Sequence, residues 1–139
     1  MKKVISLTLN PVLDIEGVVS EIIPNEKNYA KSEKRYPGGN GINVSRILTR
    51  LQVPSVATGF LGGGVGAEIK ELLIKEGVEV DFIPIKESSR IGMTISNESN
   101  HQQTRISFKG PEISIQSYEK LKTYFNRDLT SQIVMVGGS

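Results

Sequence analysis

The glycines of this chain are concentrated between segments whose apolar residues follow a strand-like pattern and segments whose apolar residues follow a helix-like pattern. Eight of the 14 glycines fall at positions 38, 39, 41, 59, 62, 63, 64 and 66 of the 139 residues. Glycine adopts backbone conformations that other residues avoid, and it lets a neighbouring segment or a ligand approach the backbone closely. A stretch this rich in glycine therefore belongs to tight turns, and it constrains the fold to one built on short connections.

Strand-like and helix-like segments alternate around these glycines. Short runs rich in Val, Ile and Leu predict strands over residues 3–9, 55–61, 78–85 and 133–136. Apolar residues at helical spacing predict three helices, with stripes at Val44, Ile47, Leu48 and Leu51, at Val65, Ile69, Leu72 and Leu73, and at Ile115, Tyr118, Leu121 and Phe125. This order predicts an α/β fold with a parallel sheet and right-handed crossovers.

Two polar segments interrupt the alternation. Residues 15–36 mix apolar and charged side chains, and residues 91–109 have the pattern of a hairpin with a polar turn over 97–103. Neither segment has the apolar character of a buried parallel strand. We therefore expect them to form a separate small sheet beside the main one.

The composition excludes several classes of protein. The chain has no cysteine and a single histidine, His101, which excludes disulfide frameworks, thiol catalysis, Cys-ligated metals and multi-His metal sites within it. The 17 Lys and Arg against 15 Asp and Glu give a net charge of +2, without the concentrated basic face of a nucleic-acid binder. No segment has the pattern of a signal peptide or a membrane span. We expect a cytoplasmic protein that binds neither nucleic acid nor membranes.

Ligands of parallel α/β folds bind at the carboxyl ends of the strands. That rule places residues 10–14, 38–41, 62–66 and 137–139 on one rim. Asp14 offers a carboxylate there, Asn43 offers an amide in the first turn of a helix, and the glycines at 38 and 39 admit close approach to the backbone. Together these groups suit a polyhydroxyl ligand. Taken singly, each is also explained by a turn-stabilising Asp or an ordinary loop-to-helix junction.

Residues 62–67 match the sequence motif of a dinucleotide-binding site. They match G-x-G-x-x-A between a strand and a helix, and Asp81 follows Gly62 by 19 positions. Asp81 falls near the start of the next predicted strand, whereas a ribose-binding acid belongs at the end of its strand. We interpret the segment as a tight turn, with a dinucleotide-dependent oxidoreductase as the alternative. A Walker-type phosphate loop is absent from the sequence.

Five motifs in combination resemble the PfkB (ribokinase-like) carbohydrate kinases. They are Thr8-Leu9-Asn10-Pro11-x-x-Asp14, Pro37-Gly38-Gly39-x-Gly41-Ile42-Asn43-Val44-x-Arg46, Thr58-Gly59-Phe60-Leu61-Gly62, Gly110-Pro111 and Gly138-Ser139. Their order and spacing cover essentially the whole chain. They are most similar to the branch that acts on phosphorylated hexoses, which contains minor 6-phosphofructokinase, 1-phosphofructokinase and tagatose-6-phosphate kinase.

The resemblance implies the N-terminal part of a three-layer α/β/α sandwich, with a small β-sheet lid at about 15–36 and 91–109. It implies transfer of the γ-phosphoryl group of ATP, with Mg²⁺, to a primary hydroxyl of a hexose phosphate. The residues it implies are Asp14, Gly38, Gly39 and Asn43 for the sugar hydroxyls, Lys27, Arg90 and Arg105 for the substrate phosphate, and Ser139 at the same rim. Arginine suits that role because its planar fork binds phosphate oxygens bidentately. Lids in this family often pair between subunits, so we expect a homodimer.

Two features depart from the family pattern. Asn40 stands where 1-phosphofructokinases and tagatose-6-phosphate kinases usually carry Lys, and together with Arg105-Ile106-x-Phe108 it favours fructose 6-phosphate as the substrate. The family's Gly-Ala-Gly-Asp motif, which supplies the catalytic base and the helix N-terminus for the transferring phosphoryl group, has no counterpart here. We therefore expect the sugar-phosphate-binding half and the lid of a kinase, without a catalytic base or metal ligands. A non-catalytic sugar-phosphate-binding or dimerisation fragment is the alternative.

Overall fold

The computed structural model describes residues 2–127 and 132–138. The strands in this part of the chain are Lys3–Thr8 (β1), Val12–Val19 (β2), Ser32–Gly38 (β3), Ser55–Gly62 (β4), Ile83–Ile85 (β5), Arg90–Asn97 (β6), Gln102–Ser107 (β7) and Gln132–Gly137 (β8). The helices are Asn40–Arg50 (α1), Gly63–Lys75 (α2) and Ile115–Phe125 (α3). None of these three helices is long and apolar enough to cross a membrane.

The strands form two separate sheets. The main sheet has the order β5-β4-β1-β8 and is parallel throughout. The second sheet has the order β3-β2-β6-β7, in which β2 runs antiparallel to β3 and parallel to β6. We call this second sheet the lid. The predicted α/β fold, with a parallel sheet and a small additional sheet, is confirmed.

The main sheet is the middle layer of three. Ser6 on β1 is in register with Ala57 on β4, and its hydroxyl shares a hydrogen bond with Ser45 of α1, so this face of the sheet is turned toward α1. Phe60 points to the opposite face, because side chains alternate along a strand. There its ring meets Tyr118 of α3 edge-on, with the ring centroids 5.7 Å apart.

The principal hydrophobic core lies between the main sheet, α1 and α2. Its fully buried members are Leu13, Ile42, Ala57, Leu61, Ile69, Leu73 and Val78. Leu13 belongs to β2, so the lid contributes a side chain to the same core as the body. The lid is thereby anchored to the body at the end of β2 that is nearest the main sheet.

The third strand of the main sheet is shorter than predicted. The sequence predicts a strand over 78–85, but β5 covers only Ile83–Ile85, preceded by a single bridge between Val80 and Ala57. The Thr58 hydroxyl donates a hydrogen bond to the Asp81 carbonyl at 2.7 Å. Between the Val80 bridge and β5, the backbone carbonyl of Asp81 is therefore bonded to a side chain of β4 and not to its backbone.

The apolar stripes of two helices do not coincide with their buried faces. In α1 the buried residues are Gly41, Ile42 and Ser45, whereas Ile47 is 54% exposed. The first turn of α1 lies against β1, so Gly41, Ile42 and Ser45 face the sheet in place of the predicted stripe. In α3 no residue is buried, and Ile115 is 77% exposed.

Two isoleucines of α1 provide a matched test of this packing. Ile42→Ala should lower the free energy of unfolding by about 2–5 kcal/mol, because it leaves a cavity in the principal core. Ile47→Ala on the exposed side of the same helix should cost less than about 1 kcal/mol. Urea denaturation followed by circular dichroism measures both, and equal losses would contradict the packing described here.

Candidate functional site

A cavity of about 450 Å³ lies between the inner face of the lid and the start of α1. The residues that line it are Asp14, Glu16, Tyr36, Pro37, Asn43, Arg46, Gly92, Met93, Thr94, Arg105 and Ser107. Most of them come from the four lid strands, and Asn43 and Arg46 come from α1. The lid therefore forms the wall of the cavity, and the first two turns of α1 form its floor.

The register of the lid strands arranges the wall in two rows. The first row, which we call the Asp14 row, crosses the sheet as Tyr36, Asp14, Gly92 and Ser107. The second, the Glu16 row, crosses it as Lys34, Glu16, Thr94 and Arg105. Neighbouring strands lie about 4.8 Å apart, and residues i and i+2 point to the same face about 7 Å apart. Both rows therefore face the same side of the lid at the spacing of the groups on a small sugar.

The carboxylate of Asp14 is enclosed by two glycines. A Cβ at Gly92 would lie 2.7 Å from Asp14 Oδ1, and a Cβ at Gly38 would overlap Asp14 Oδ2. Burial raises the pKa of the Asp14 carboxyl above its ordinary value of 3.8, and Glu16 raises it further, while Arg90 and Arg105 lower it. Asp14 is thus a half-buried acceptor that the two glycines accommodate at the wall of the cavity.

The floor of the cavity is held by a hydrogen bond from outside the helix. Gly39 is the N-cap of α1 and has no side chain to accept a hydrogen bond from the first turn. The buried hydroxyl of Thr8 accepts instead from the Ile42 N–H at 2.9 Å. This contact sets the direction in which α1 leaves β3. It thereby brings Asn43 to the cavity.

The cavity contains both signs of charge. Arg46 is fixed by Glu76, the C-cap of α2, with Nε and one terminal nitrogen 2.7 and 2.8 Å from the carboxylate oxygens. Its other terminal nitrogen donates to the Pro37 carbonyl at 3.3 Å. Arg105 on β7 forms no ion pair with any other described residue. Arg105 is therefore the cation in the cavity wall that is available to an anionic ligand.

The structure brings together only some of the residues predicted from the sequence. Asp14, Asn43 and Arg105 line the cavity, and Gly38 lies directly against Asp14. Gly39 is the N-cap of α1, has a φ of 122° and lies beside Thr8. Arg90 lies at the edge of the site, where its Nε donates a hydrogen bond of 3.4 Å to the Asn10 carbonyl. Lys27 is exposed in the loop between β2 and β3 and does not line the cavity. Ser139 lies outside the described residues.

Several lining residues were not predicted. They are Glu16, Tyr36, Arg46, Gly92, Met93, Thr94 and Ser107. The hydroxyl of Tyr36 donates to Glu16 Oε2 at 3.1 Å, and burial, followed by this hydrogen bond, raises the pKa of the phenol. Alternation along β2 places Glu16 on the same face as Asp14, which is a signal that the sequence contained. The partners on β3, β6 and β7 required the register.

The first residue of the glycine-rich turn at 62–66 packs against the protein's own chain. The Gly62 N–H donates to Ser89 Oγ at 3.1 Å, and a Cβ at Gly62 would overlap the Glu87 carbonyl. The Gly62 N–H is therefore not available to the phosphate that the dinucleotide alternative would place there. Among residues 2–127 and 132–138, no group of three His, Asp or Glu side chains is arranged to hold a metal. The described residues accordingly offer no cluster of acidic side chains for Mg²⁺.

Comparison with known proteins relates this geometry to one family. The sequence profile of the pfkB family carbohydrate kinases matches residues 3–138. The 1-phosphofructokinase of Borreliella burgdorferi is 37% identical over 96% of this chain, and the tagatose-6-phosphate kinase of Staphylococcus epidermidis is 33% identical over 87% of it. The crystal structure of phosphofructokinase-2 from Escherichia coli in complex with fructose-6-phosphate covers 99% of this chain, with a TM-score of 0.91 and 27% identity.

These matches extend over less than half of each relative. The chain covers 43% of the Borreliella burgdorferi enzyme, 38% of the Staphylococcus epidermidis enzyme and 46% of the Escherichia coli chain. In each case the similarity runs through both the main sheet and the lid.

Replacing Asp14 with Asn should stabilise the fold at neutral pH. Burial raises the pKa of Asp14 above 3.8, so ionising this carboxyl costs folding free energy at every pH above the raised value. The gain from Asn should therefore be present at pH 7 and should disappear as the pH falls below 3.8, where the folded and unfolded states are both protonated. Urea midpoints of the two proteins at pH 7, 5 and 3.5 measure it. A difference that does not change with pH would show that the carboxyl is not strained by burial.

Proposed function

This chain belongs to the pfkB family of carbohydrate kinases, and from that premise we propose that it supplies the sugar-phosphate-binding half and the lid of an ATP-dependent hexose-phosphate kinase. The observation that carries the proposal is the cavity in which Asp14, Asn43 and Arg105 converge. A carboxylate, an amide and an unpaired guanidinium are together the groups that a phosphorylated sugar requires.

Arg105 is the residue that we assign to the phosphate of the substrate. Its guanidinium forms two parallel hydrogen bonds to phosphate oxygens more readily than any other side chain. Arg90 lies close enough to influence the pKa of Asp14 and could supplement the positive charge at that side of the cavity. Lys27 would add a third cation only if the exposed loop between β2 and β3 closed over the ligand.

Asp14 and Asn43 are the residues that we assign to the sugar hydroxyls. An ionised carboxylate accepts hydrogen bonds from two hydroxyls, and a side-chain amide both donates and accepts. Gly38 and Gly92 make room for the Asp14 carboxylate, whose oxygens lie where a Cβ at either position would be, and Gly39 makes room for the side chain of Thr8 at the start of α1. Ser139, which the sequence predicts to contact the substrate, lies outside the described residues.

The described residues bind and orient the sugar, and they exclude water through the lid. Because the family motif that supplies the catalytic base has no counterpart in this sequence, we expect the transfer of the phosphoryl group to need residues in addition to these. Orientation alone is a large part of such catalysis, because phosphoryl transfer depends mainly on positioning and electrostatics.

Fructose 6-phosphate is the substrate that we favour, with fructose 1-phosphate and tagatose 6-phosphate as the competitors. The side chain of Asn40 donates to the Gly138 carbonyl and ties α1 to the end of β8. Asn40, the first residue of α1, therefore uses its amide in a contact within the protein and offers no positive charge to a phosphate.

We also propose that a second copy of this chain pairs with the lid. β7 is an edge strand whose residues are all exposed, and Ile106 and Phe108 are 48% and 53% exposed. Unpaired backbone groups beside apolar side chains can be extended by a strand of another subunit.

The proposed function is tested by calorimetric titration of the 139-residue chain with the three sugar phosphates and with free fructose. We expect binding of fructose 6-phosphate and weaker binding of fructose, because Arg105 has no anion to hold in the unphosphorylated sugar. A kinase assay on this chain and on a longer version separates a binding half from a complete enzyme. Equal affinity for fructose and fructose 6-phosphate would refute the proposal.

Arg105→Ala should weaken the binding of fructose 6-phosphate by about ten- to a hundredfold, the value of one charge-assisted hydrogen-bonded contact. In a catalytically active longer form, it should raise KM more than it lowers kcat, because the phosphate that it holds does not react. Arg50→Ala removes an arginine of α1 that is 68% exposed and does not line the cavity, and it should leave the affinity unchanged. Comparable losses in both variants would indicate a general charge effect.

Gly92→Ala should also weaken the binding of fructose 6-phosphate, because the new methyl group lies against Asp14 Oδ1 and must displace the carboxylate. The matched control is Gly64→Ala in the first turn of α2, where a Cβ meets nothing within 4 Å. That control should keep full affinity and gain roughly 0.5–1 kcal/mol in unfolding free energy, since alanine favours the helix. Titration and urea denaturation of both variants measure these outcomes.

A further inference from the structure

We propose that Glu16 is a specificity-determining residue of this cavity, which reserves the β2–β3 side of the lid for an uncharged sugar hydroxyl and excludes a second phosphate from it. The inference rests on the proposed function, and it adds the requirement that the sugar carry a single phosphate in this cavity. It concerns a lining residue to which the family motifs in the sequence assign no role.

The position of Glu16 follows from the register of the lid. Glu16 lies two residues after Asp14 on β2, so both carboxylates face the cavity about 7 Å apart. Within the Glu16 row, Thr94 separates Glu16 from Arg105, which places the two charged residues two strand spacings, or about 10 Å, apart. A hexose phosphate is long enough to reach both.

The carboxylate of Glu16 is oriented rather than neutralised. Tyr36 donates its hydroxyl to Glu16 Oε2, which leaves Oε1 for a ligand. Glu16 is in no ion pair with another described residue. Lys34 neighbours it in the Glu16 row but does not line the cavity. Glu16 therefore has no cationic partner on the cavity wall.

The charges of the cavity are consequently segregated. Asp14 and Glu16 stand on β2, whereas the unpaired cation Arg105 stands on β7. Arg46, the other cation in the lining, is already matched by Glu76. A phosphate placed at β7 gains attraction from Arg105, whereas a phosphate placed beside Glu16 faces the repulsion of its carboxylate. Arg90 acts on Asp14, but it pairs with Val12 and so lies four residues along the strands from Glu16. A hydroxyl at β2 instead donates to Glu16.

This charge distribution makes the cavity selective by repulsion as well as by attraction. Replacing Glu16 by a neutral residue of the same shape removes its repulsion toward a phosphate without opening space in the cavity. Glu16→Gln therefore separates the charge of Glu16 from its volume. Tyr36→Phe removes the orienting hydroxyl and leaves the charge in place.

The test is calorimetric titration of the wild-type chain and its variants with fructose 6-phosphate and fructose 1,6-bisphosphate. We expect Glu16→Gln to raise the affinity for the bisphosphate relative to the monophosphate by about tenfold, which corresponds to about 1.4 kcal/mol. Tyr36→Phe should weaken monophosphate binding and leave the weak binding of the bisphosphate unchanged. Circular dichroism confirms that each variant is folded.

The matched control is Glu33→Gln. Glu33 lies on β3 in the same sheet and has the same charge, but it pairs with Gly17 and points to the opposite face of the lid. The control should leave the affinity ratio at its wild-type value. An unchanged ratio in Glu16→Gln, or an equal shift in Glu33→Gln, overturns the inference while the proposed function stands. Failure of the wild-type chain to prefer fructose 6-phosphate over fructose overturns both.

Discussion

The contact between the end of β1 and the first turn of α1 is the constraint on which the site depends. Thr8 is fully buried, and its hydroxyl accepts the Ile42 N–H that the glycine N-cap leaves without a partner. A side chain at Gly41 or Gly59 would overlap Thr8, so these positions admit the close approach. Because α1 is held in this way, Asn43 and Arg46 point from its first two turns toward the lid.

The lid depends on the body for the same reason. Leu13 inserts into the principal core, and Arg35 on β3 donates to both carboxylate oxygens of Glu68 on α2 at 3.0 Å. Arg46 is tied to α2 through Glu76. The wall and the floor of the cavity are thus both held in position by contacts with α2. A change in the position of this helix would alter the distance between the lid residues and α1.

The carboxylate of Asp14 shows how the site trades stability for binding. The fold places it half-buried between Gly38 and Gly92, where burial raises its pKa and its oxygens take the space that a Cβ at either glycine would need. A ligand hydroxyl can replace the water that burial removed. In the order of the sheet, β6 separates β2, which carries Asp14 and Glu16, from β7, which carries Arg105. Negative charge therefore lies at one side of the cavity and positive charge at the other.

The sequence by itself determined the alternation of strands and helices and the existence of a small second sheet, because periodicity is a property of neighbouring residues. The roles expected of Asp14 and Asn43 came from local motifs, and the role expected of Arg105 came from the resemblance to the family. The sequence could not determine that β5 is short, that Ile47 of α1 is exposed, or that Glu16, Tyr36 and Arg46 line the cavity. Those features depend on strand register and helix docking, which join residues far apart in the chain. Only the tertiary structure decides which side chains share a face, since a shift of one residue in register would turn Glu16 away from the ligand.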